Sequence, residues 1–324
     1  MRLGIVVCVA ATALAAAGQS AGTPAVPRTP GGHPDLQGIW TNATITPLER
    51  PAAYKGLTIS DADAQKFEQA ESNDLKAEDG ASDGKIIRAA GSAGTGAYNA
   101  LFLDRGAELE RVDGVKRTSL IVDPPDGRVP PHTDAAKQRN RAEMRESSGL
   151  GGVKSRPLAE RCLLGFGSTD GPPMLPVLYN NNYQIIQTPD TIMILVEMVH
   201  DVRVIRMNQP HLPSNLKKWL GDSVGRWEGD TLVVDTTNFR PEVRFRGAGA
   251  NLHVIERFRR VDAHTILYRA TMDDPSTFAR PWTVEFPFLA AAGPIYEYAC
   301  HEGNYALQDI LGGARRMETL SGKK

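Results

Sequence analysis

The stretch YQIIQTPDTIMILVEMVHDVRVIRM, residues 183–207, decides how this chain is read. Its runs are rich in β-branched residues and are too short and too alternating for helices. They read as strand, turn, strand, strand, with Thr188-Pro189-Asp190 as the first turn. The two inner runs carry Glu197, His200, Asp201, Arg203 and Arg206, the densest set of ionisable groups placed in apolar sequence anywhere in the chain.

Toward the C terminus the same pattern continues. Asn208 to Gly221, with Pro210, Pro213 and a helical turn expected at Leu216 to Leu220, reads as a long crossover. Arg226-Trp227 and Thr231 to Thr237 flank Glu228-Gly229-Asp230, a tight hairpin, and His253 to Val261 and Thr265 to Met272 flank Asp262-Ala263-His264, a second one. Trp282 to Phe288 and Ile295 to Cys300 supply two further strands. Connections this short predict a mainly β fold, an antiparallel up-and-down meander. With no strong helices to cover a sheet face, the economical way to bury it is closure into a lipocalin-like barrel.

The N-terminal half is loop-rich, with one or two short helices. Ser60 to Leu75 has Ser60 as N-cap and Asp61 and Asp63 in the first turn, where the helix dipole favours acids. Thr133 to Glu146 is a polar helix capped by Thr133, whose basic residues read as a solvated face. Lys76 to Ala97 has almost no large apolar residue and reads as a linker or mobile loop. Arg117 to Val122 is a strand ended by the turn Asp123-Pro124-Pro125-Asp126-Gly127. The run Gly165 to Pro173 is loop, and its glycines do not lie between a strand and a helix, which argues against a phosphate-binding loop.

Met1-Arg2, the apolar run Leu3 to Ala17 and the small residues that follow read as a secretory signal peptide over 1–22. The expected organisation is then a flexible arm at 23–34, a loop-rich part with a possible first barrel strand at 35–182, the barrel meander at 183–312 and a tail at 313–324. No other run approaches the roughly 20 apolar residues of a membrane span. The chain is expected to be periplasmic or secreted. The 324 residues carry 37 Lys and Arg against 38 Asp and Glu, a balance that removes the usual argument for a nucleic-acid partner. Cys162 and Cys300 are left once the signal is removed, and a disulfide between them would close a long loop and stabilise by about 4–5 kcal/mol in the chain-entropy model. Two buried free thiols are the alternative.

Two resemblances follow from the motifs. Pro34 to Asn42, with Gly38-Ile39-Trp40, resembles the Gly-x-Trp opening of lipocalin-like barrels, in which the Trp closes one end of the barrel. Glu160-Arg161-Cys162, Glu197-Met198-Val199-His200-Asp201, Trp219-Leu220-Gly221-Asp222-Ser223, the run from Trp227 to Val234 and the run from Tyr296 to Tyr305 resemble an abundant group of secreted, uncharacterised bacterial proteins. That likeness spans most of the chain beyond the signal and brings no activity with it.

The candidate chemistry is acid–base. His200 and His301 are the expected general acid and base, with Glu197, Asp201 or Glu302 as carboxylate partners. Arg203 and Arg206 are expected to bind a substrate carboxylate or a developing oxyanion, with Tyr298 and Trp227 beside them. Alternation puts Glu197, Asp201 and Arg203 on one strand face and Met198, His200, Val202, Val204 and Arg206 on the other. His253 to Phe258 adds a further charged pair. The histidines 132, 200, 211, 253 and 301 are scattered and match no metal-binding spacing, so neither a metal nor a cofactor is expected. No Gly-x-Ser-x-Gly elbow is present. The leading expectation is a cofactor-free extracytoplasmic enzyme of lyase, hydrolase or isomerase type, working at a barrel mouth on a small or saccharide-like substrate. The alternative is a lipocalin-like protein binding a small apolar ligand.

Overall fold

The structure, a computed structural model, describes residues 26–80, 103–147, 150–166 and 171–322. The expected signal segment, most of the expected linker at 76–97 and part of the glycine-rich loop after 165 lie outside these residues. In chain order the elements are β1 (Gly38–Thr41), β2 (Thr58–Ile59), α1 (Asp61–Gly80), β3 (Arg111–Val112), β4 (Val115–Arg117), β5 (Ile121–Asp123) and α2 (Asp134–Ser147). Then come β6 (Asn182–Gln187), β7 (Thr191–Val196), β8 (Val202–Met207), β9 (Asp222–Glu228), β10 (Thr231–Thr237), β11 (His253–Arg260), β12 (Thr265–Asp273), β13 (Trp282–Ala290) and α3 (Ala306–Leu320).

Nine strands form a closed barrel in the order β1-β6-β7-β8-β9-β10-β11-β12-β13, and β1 pairs with β13 to complete the ring. The expected meander holds except at one seam. β8 and β9 run parallel, with Ile205 opposite Ser223 and Met207 opposite Gly225. A parallel pair cannot be joined by a tight turn, and residues 208–221 are the crossover that brings the chain back along the outside. The expected helical turn at 216–220 is a set of irregular turns instead, such as the one in which Leu216 N donates to Pro213 O.

Barrel closure also explains a second difference. Ile295 to Cys300 alternates like a strand but joins no ladder. β13 is already occupied on one side by β12 and on the other by β5 near Thr283 and by β1 near Ala290, so the ring leaves it no edge to extend. Pro287, which lacks an N–H, falls in the gap between those last two pairings.

Alternation along each strand fills the interior. Ile205, Leu232, Val254, Phe258, Tyr268, Phe286 and Phe288 are all 0–1% exposed, with Phe286 stacked on Phe288 at 5.8 Å and Tyr268 tilted against both rings at 5.1–5.2 Å. Each large side chain buried this way stabilises the fold by about 1.5–3 kcal/mol. Trp40 of the Gly-x-Trp tripeptide is buried: it is 2% exposed, its Nε1 donates to Leu36 O at 2.9 Å, and the Arg260 guanidinium lies over its ring at 5.1 Å.

Both expected helices form with their expected caps. Asp63 N donates to Ser60 Oγ at 3.2 Å ahead of α1, and Ala136 N donates to Thr133 Oγ1 at 3.1 Å ahead of α2. α1 runs on through Gly80, past the expected helix end. Helix α3 begins inside the expected meander, which ends as a ladder at Ala290, and runs through most of the expected tail; its Leu307, Ile310, Leu311 and Ala314 follow the three-four spacing of a packed face. Residues 26–34 of the expected arm lie against the β9–β10 hairpin: Arg28 pairs with Asp230 at 2.6 Å and His33 stacks on Trp227 at 4.7 Å. The disulfide Cys162–Cys300 joins the loop before β6 to the segment after β13.

Candidate functional site

The expected site residues are scattered. Arg203 points into the barrel and is 2% exposed, where both of its terminal nitrogens donate to Glu256, at 3.0 and 2.6 Å. Glu256 also accepts from Tyr268 Oη at 2.8 Å, and Tyr268 Oη in turn accepts from Met174 N at 3.1 Å. With its fork already filled, Arg203 is not available to a substrate carboxylate. The reading of Arg203 as a substrate-binding residue is therefore corrected to an interior ion pair.

Glu197 is equally committed. It is 2% exposed and accepts from Asn182 Nδ2 at 2.7 Å and from Tyr296 N at 3.2 Å, which ties the end of β7 to the segment beyond β13. Burial raises the carboxyl of Asp104, and the nearby Glu197 charge raises it further. Burial likewise raises Asp201. His200 sits exposed in the β7–β8 turn, next to Val199 and like it in left-handed backbone, with φ of 63° and 60°. His301 and Glu302 are exposed in turns after the disulfide, and Tyr298, expected beside the substrate, is partly buried against the core. Among the described residues no side-chain hydrogen bond or ion pair joins His200, Asp201, His301 and Glu302 to one another. Trp227 is covered by His33.

Histidines and carboxylates do meet on the outer wall of the barrel, beneath the 208–221 crossover. Alternation turns Ser223, Thr236 and Val254 inward, where Ser223 Oγ and Thr236 Oγ1 bond at 2.9 Å, so Asp222, Asp235 and His253 on the same three strands face outward. Register then sets them diagonally: Asp222 lies opposite Thr237, Asp235 opposite both Val224 and Ile255, and His253 opposite Asp273. The crossover lays His211 between the two acids, with Nδ1 3.1 Å from Asp222 Oδ2 and Nε2 3.1 Å from Asp235 Oδ1. His253 Nε2 reaches the same Asp235 oxygen at 2.9 Å. Gly221, at φ +72°, lets the chain turn into β9 here; a Cβ would lie 2.6 Å from Thr236 Cγ2 and 2.8 Å from Thr237 O.

The result is a continuous chain, Asp222–His211–Asp235–His253. Burial alone would raise the Asp222 carboxyl, but the Leu212 N–H at 2.9 Å, His211, Lys218 at 3.2 Å and Arg206 at 3.0 Å hold it below the usual carboxylate range. Arg206, expected to bind substrate, thus anchors the crossover and also donates to Pro210 O. Burial opposes ionisation of Asp235 too, and its bonds from His253 and His211 overcome it. The Asp235 bond in turn raises His253 above its ordinary value against desolvation, with help from Asp273.

This is the geometry of oriented imidazoles. A carboxylate fixes each ring, and His253, with 40% of its side chain accessible, is an imidazole of the kind that can exchange a proton. The two Nε2 atoms aim at one carboxylate oxygen rather than at a shared void, and among the described residues no group of three or more His, Cys, Asp or Glu is set to hold a metal. Of the four members, the sequence set His253 in a charged pair, His211 only among scattered histidines and Asp222 only within the Trp219 to Ser223 motif, with no reading that joined them. Asp235, an acid inside the β-branched run Val233 to Thr237, was the readable signal for the fourth.

The class defined here is a closed mixed β-barrel with its histidine–carboxylate cluster outside the ring. No family model, curated protein or solved structure matches the chain.

Proposed function

We propose that this chain is an extracytoplasmic, cofactor-free enzyme of acid–base type, acting on a small or saccharide-like molecule, with His253 as the proton-exchanging group. The observation that carries the reading is the contact chain Asp222–His211–Asp235–His253, in which hydrogen bonds orient both imidazoles and His253 keeps 40% of its side chain accessible. The reading moves from the barrel mouth to the outer wall, because the interior is filled by aromatic side chains and, among the described residues, no carboxylate hydrogen-bonds or pairs with the His200 or His301 side chain. His253 serves as the acid while protonated and as the base once deprotonated, Asp235 holds its ring, and His211 with Asp222 fixes the position of Asp235. The Cys162–Cys300 disulfide supports an oxidising, extracytoplasmic compartment. No described helix is long and apolar enough to cross a membrane. Likeness to the secreted bacterial group belongs to the same reading.

The test is a turnover screen of the purified chain against small glycosides, oligosaccharides and lactones, with products read by mass spectrometry. A substrate found this way is then given to His253→Gln, His211→Gln and His200→Ala. Loss of at least a hundredfold in kcat for His253→Gln, with His200→Ala unchanged, is the expected result. Full turnover by a folded His253→Gln would sink the assignment.

A further inference from the structure

Between β10 and β11, the segment from Val243 to Ala248 makes a tight hairpin whose tip is Arg246-Gly247. Phe245 N donates to Ala248 O at 3.0 Å, and Ala248 N returns the bond to Phe245 O at 2.9 Å. Both tip residues have positive φ, +50° and +86°. This is the turn that Asn-Gly or Gly-Gly adopts without strain, and an arginine at its first position is held in backbone that an L side chain disfavours. Strain of this kind persists where the side chain has a use.

The guanidinium that this turn presents is unspent. Its neighbour Arg244 is paired to Glu143 at 2.7 Å, whereas no hydrogen bond or ion pair holds Arg246 among the described residues, and Glu49 acts on it only at longer range. Although the residue is exposed overall, desolvation around the guanidinium lowers its hold on the proton. Beside it opens a cleft of about 300 Å³, lined on its apolar side by Leu48, Leu120, Leu175 and Phe245. The size is at the small end of ligand pockets.

We propose that this cleft binds a small organic carboxylate, its charged end on the Arg246 fork and its hydrocarbon body on Leu48, Leu120 and Phe245. One free planar fork carrying one charge matches a monoanionic carboxylate. A phosphate dianion would need a second free cation, and Arg244 is taken. The apolar wall contributes the remainder and selects against fully hydrated anions. Phe245 stacks on the buried Trp282 at 5.8 Å, which gives the cleft a spectroscopic reporter.

The experiment is calorimetric titration of the full chain with octanoate, with tryptophan fluorescence followed in parallel. Saturable one-to-one binding is expected, weakened roughly ten- to a hundredfold for the uncharged 1-octanol, which loses the charge-assisted bonds. Arg246→Gly should weaken octanoate by the same factor without lowering the melting temperature, because glycine relaxes the turn. Arg246→Asn, which also tolerates this backbone, serves as the second variant. Three results would each overturn the proposal: no saturable binding by the unaltered chain, equal binding of octanol, or undiminished octanoate binding by both variants. Tighter binding of inorganic phosphate than of octanoate would overturn it as well.

Discussion

Arg203 and Glu256 face each other inside the barrel, their side chains 1% and 0% exposed, through two parallel hydrogen bonds of 3.0 and 2.6 Å. The pair stands near Tyr183, Tyr268 and the buried Met174, and among the described residues Arg203 Nε has no partner. Two charges taken out of water recover their desolvation only while both are present. Removing one, as in Glu256→Gln or Arg203→Met, is expected to cost about 3–5 kcal/mol in urea unfolding. Replacing both by apolar residues of similar volume should restore most of that loss. A double variant as unstable as the singles would mean that the pair contributes a net attraction the interior cannot replace.

Glu110 supplies a pH dependence of a different origin. It is 6% exposed, and burial pushes its carboxyl up to about 8 against the pull of Thr44 and Lys116. A carboxyl raised in the folded state holds a proton that the unfolded chain has already released. Stability therefore falls as pH rises from about 4.5 toward 8 and levels off above it, at about 1.4 kcal/mol per unit of separation. Melting temperature should drop over that window in the native sequence, and Glu110→Gln should flatten the drop. An unchanged slope in Glu110→Gln would assign the dependence to other groups.

The strands and caps were legible because their signals are local. Ser60 and Thr133 cap helices through bonds three residues away, and the turn Glu228-Gly229-Asp230 joins strands that pair directly with each other. What failed to read was whatever depended on closure or register. The parallel β8–β9 seam was visible only in the length of the 208–221 crossover, and Ile295 to Cys300 alternates like a strand but finds no open edge. For α3, the Gly312-Gly313 pair in its middle masks a packed face, since glycine is unfavourable inside a helix. The cluster on the outer wall was the least readable. Asp222, Asp235 and His253 come from three strands whose offsets are set by pairing, and His211 reaches them from a segment without regular structure.

The Cys162–Cys300 disulfide spans 138 residues and thereby ties the loop before β6 to the segment after β13. A cross-link over a loop this long restricts the unfolded chain strongly, by about 4–5 kcal/mol in the chain-entropy model. Replacing both cysteines by serine should lower the unfolding free energy by about 2–5 kcal/mol, and reductant should shift the unaltered protein equally. Barrel strands should stay protected from hydrogen exchange after reduction, because their ladders close through β1 and β13 rather than through the sulfurs. Loss of protection in β6 to β8 along with the bond would show that the disulfide holds the ring itself.

The His253–Asp235 contact makes the sharpest prediction for the outer wall. His253 is raised by its bond to Asp235, and Asp235 is lowered by His253 and His211, so each stabilises the charged form of the other. The histidine contribution is fully present below the ordinary imidazole value of about 6.5 and is lost as pH rises through the raised folded value. The carboxylate contribution is present above the ordinary value of about 3.9 and is lost as pH falls through the depressed one. Between those limits the contact is intact; above them His253 gives up its proton and becomes the base that the proposed chemistry uses. In a proton NMR titration His253 should therefore titrate above an unperturbed histidine, and Asp235→Asn should bring it back down by removing the bonded charge. His211→Gln should act differently, leaving His253 raised because its own bond to Asp235 at 2.9 Å survives. A His253 titration insensitive to Asp235→Asn would break the relay at its last step and remove the physical basis for treating this wall as an acid–base site.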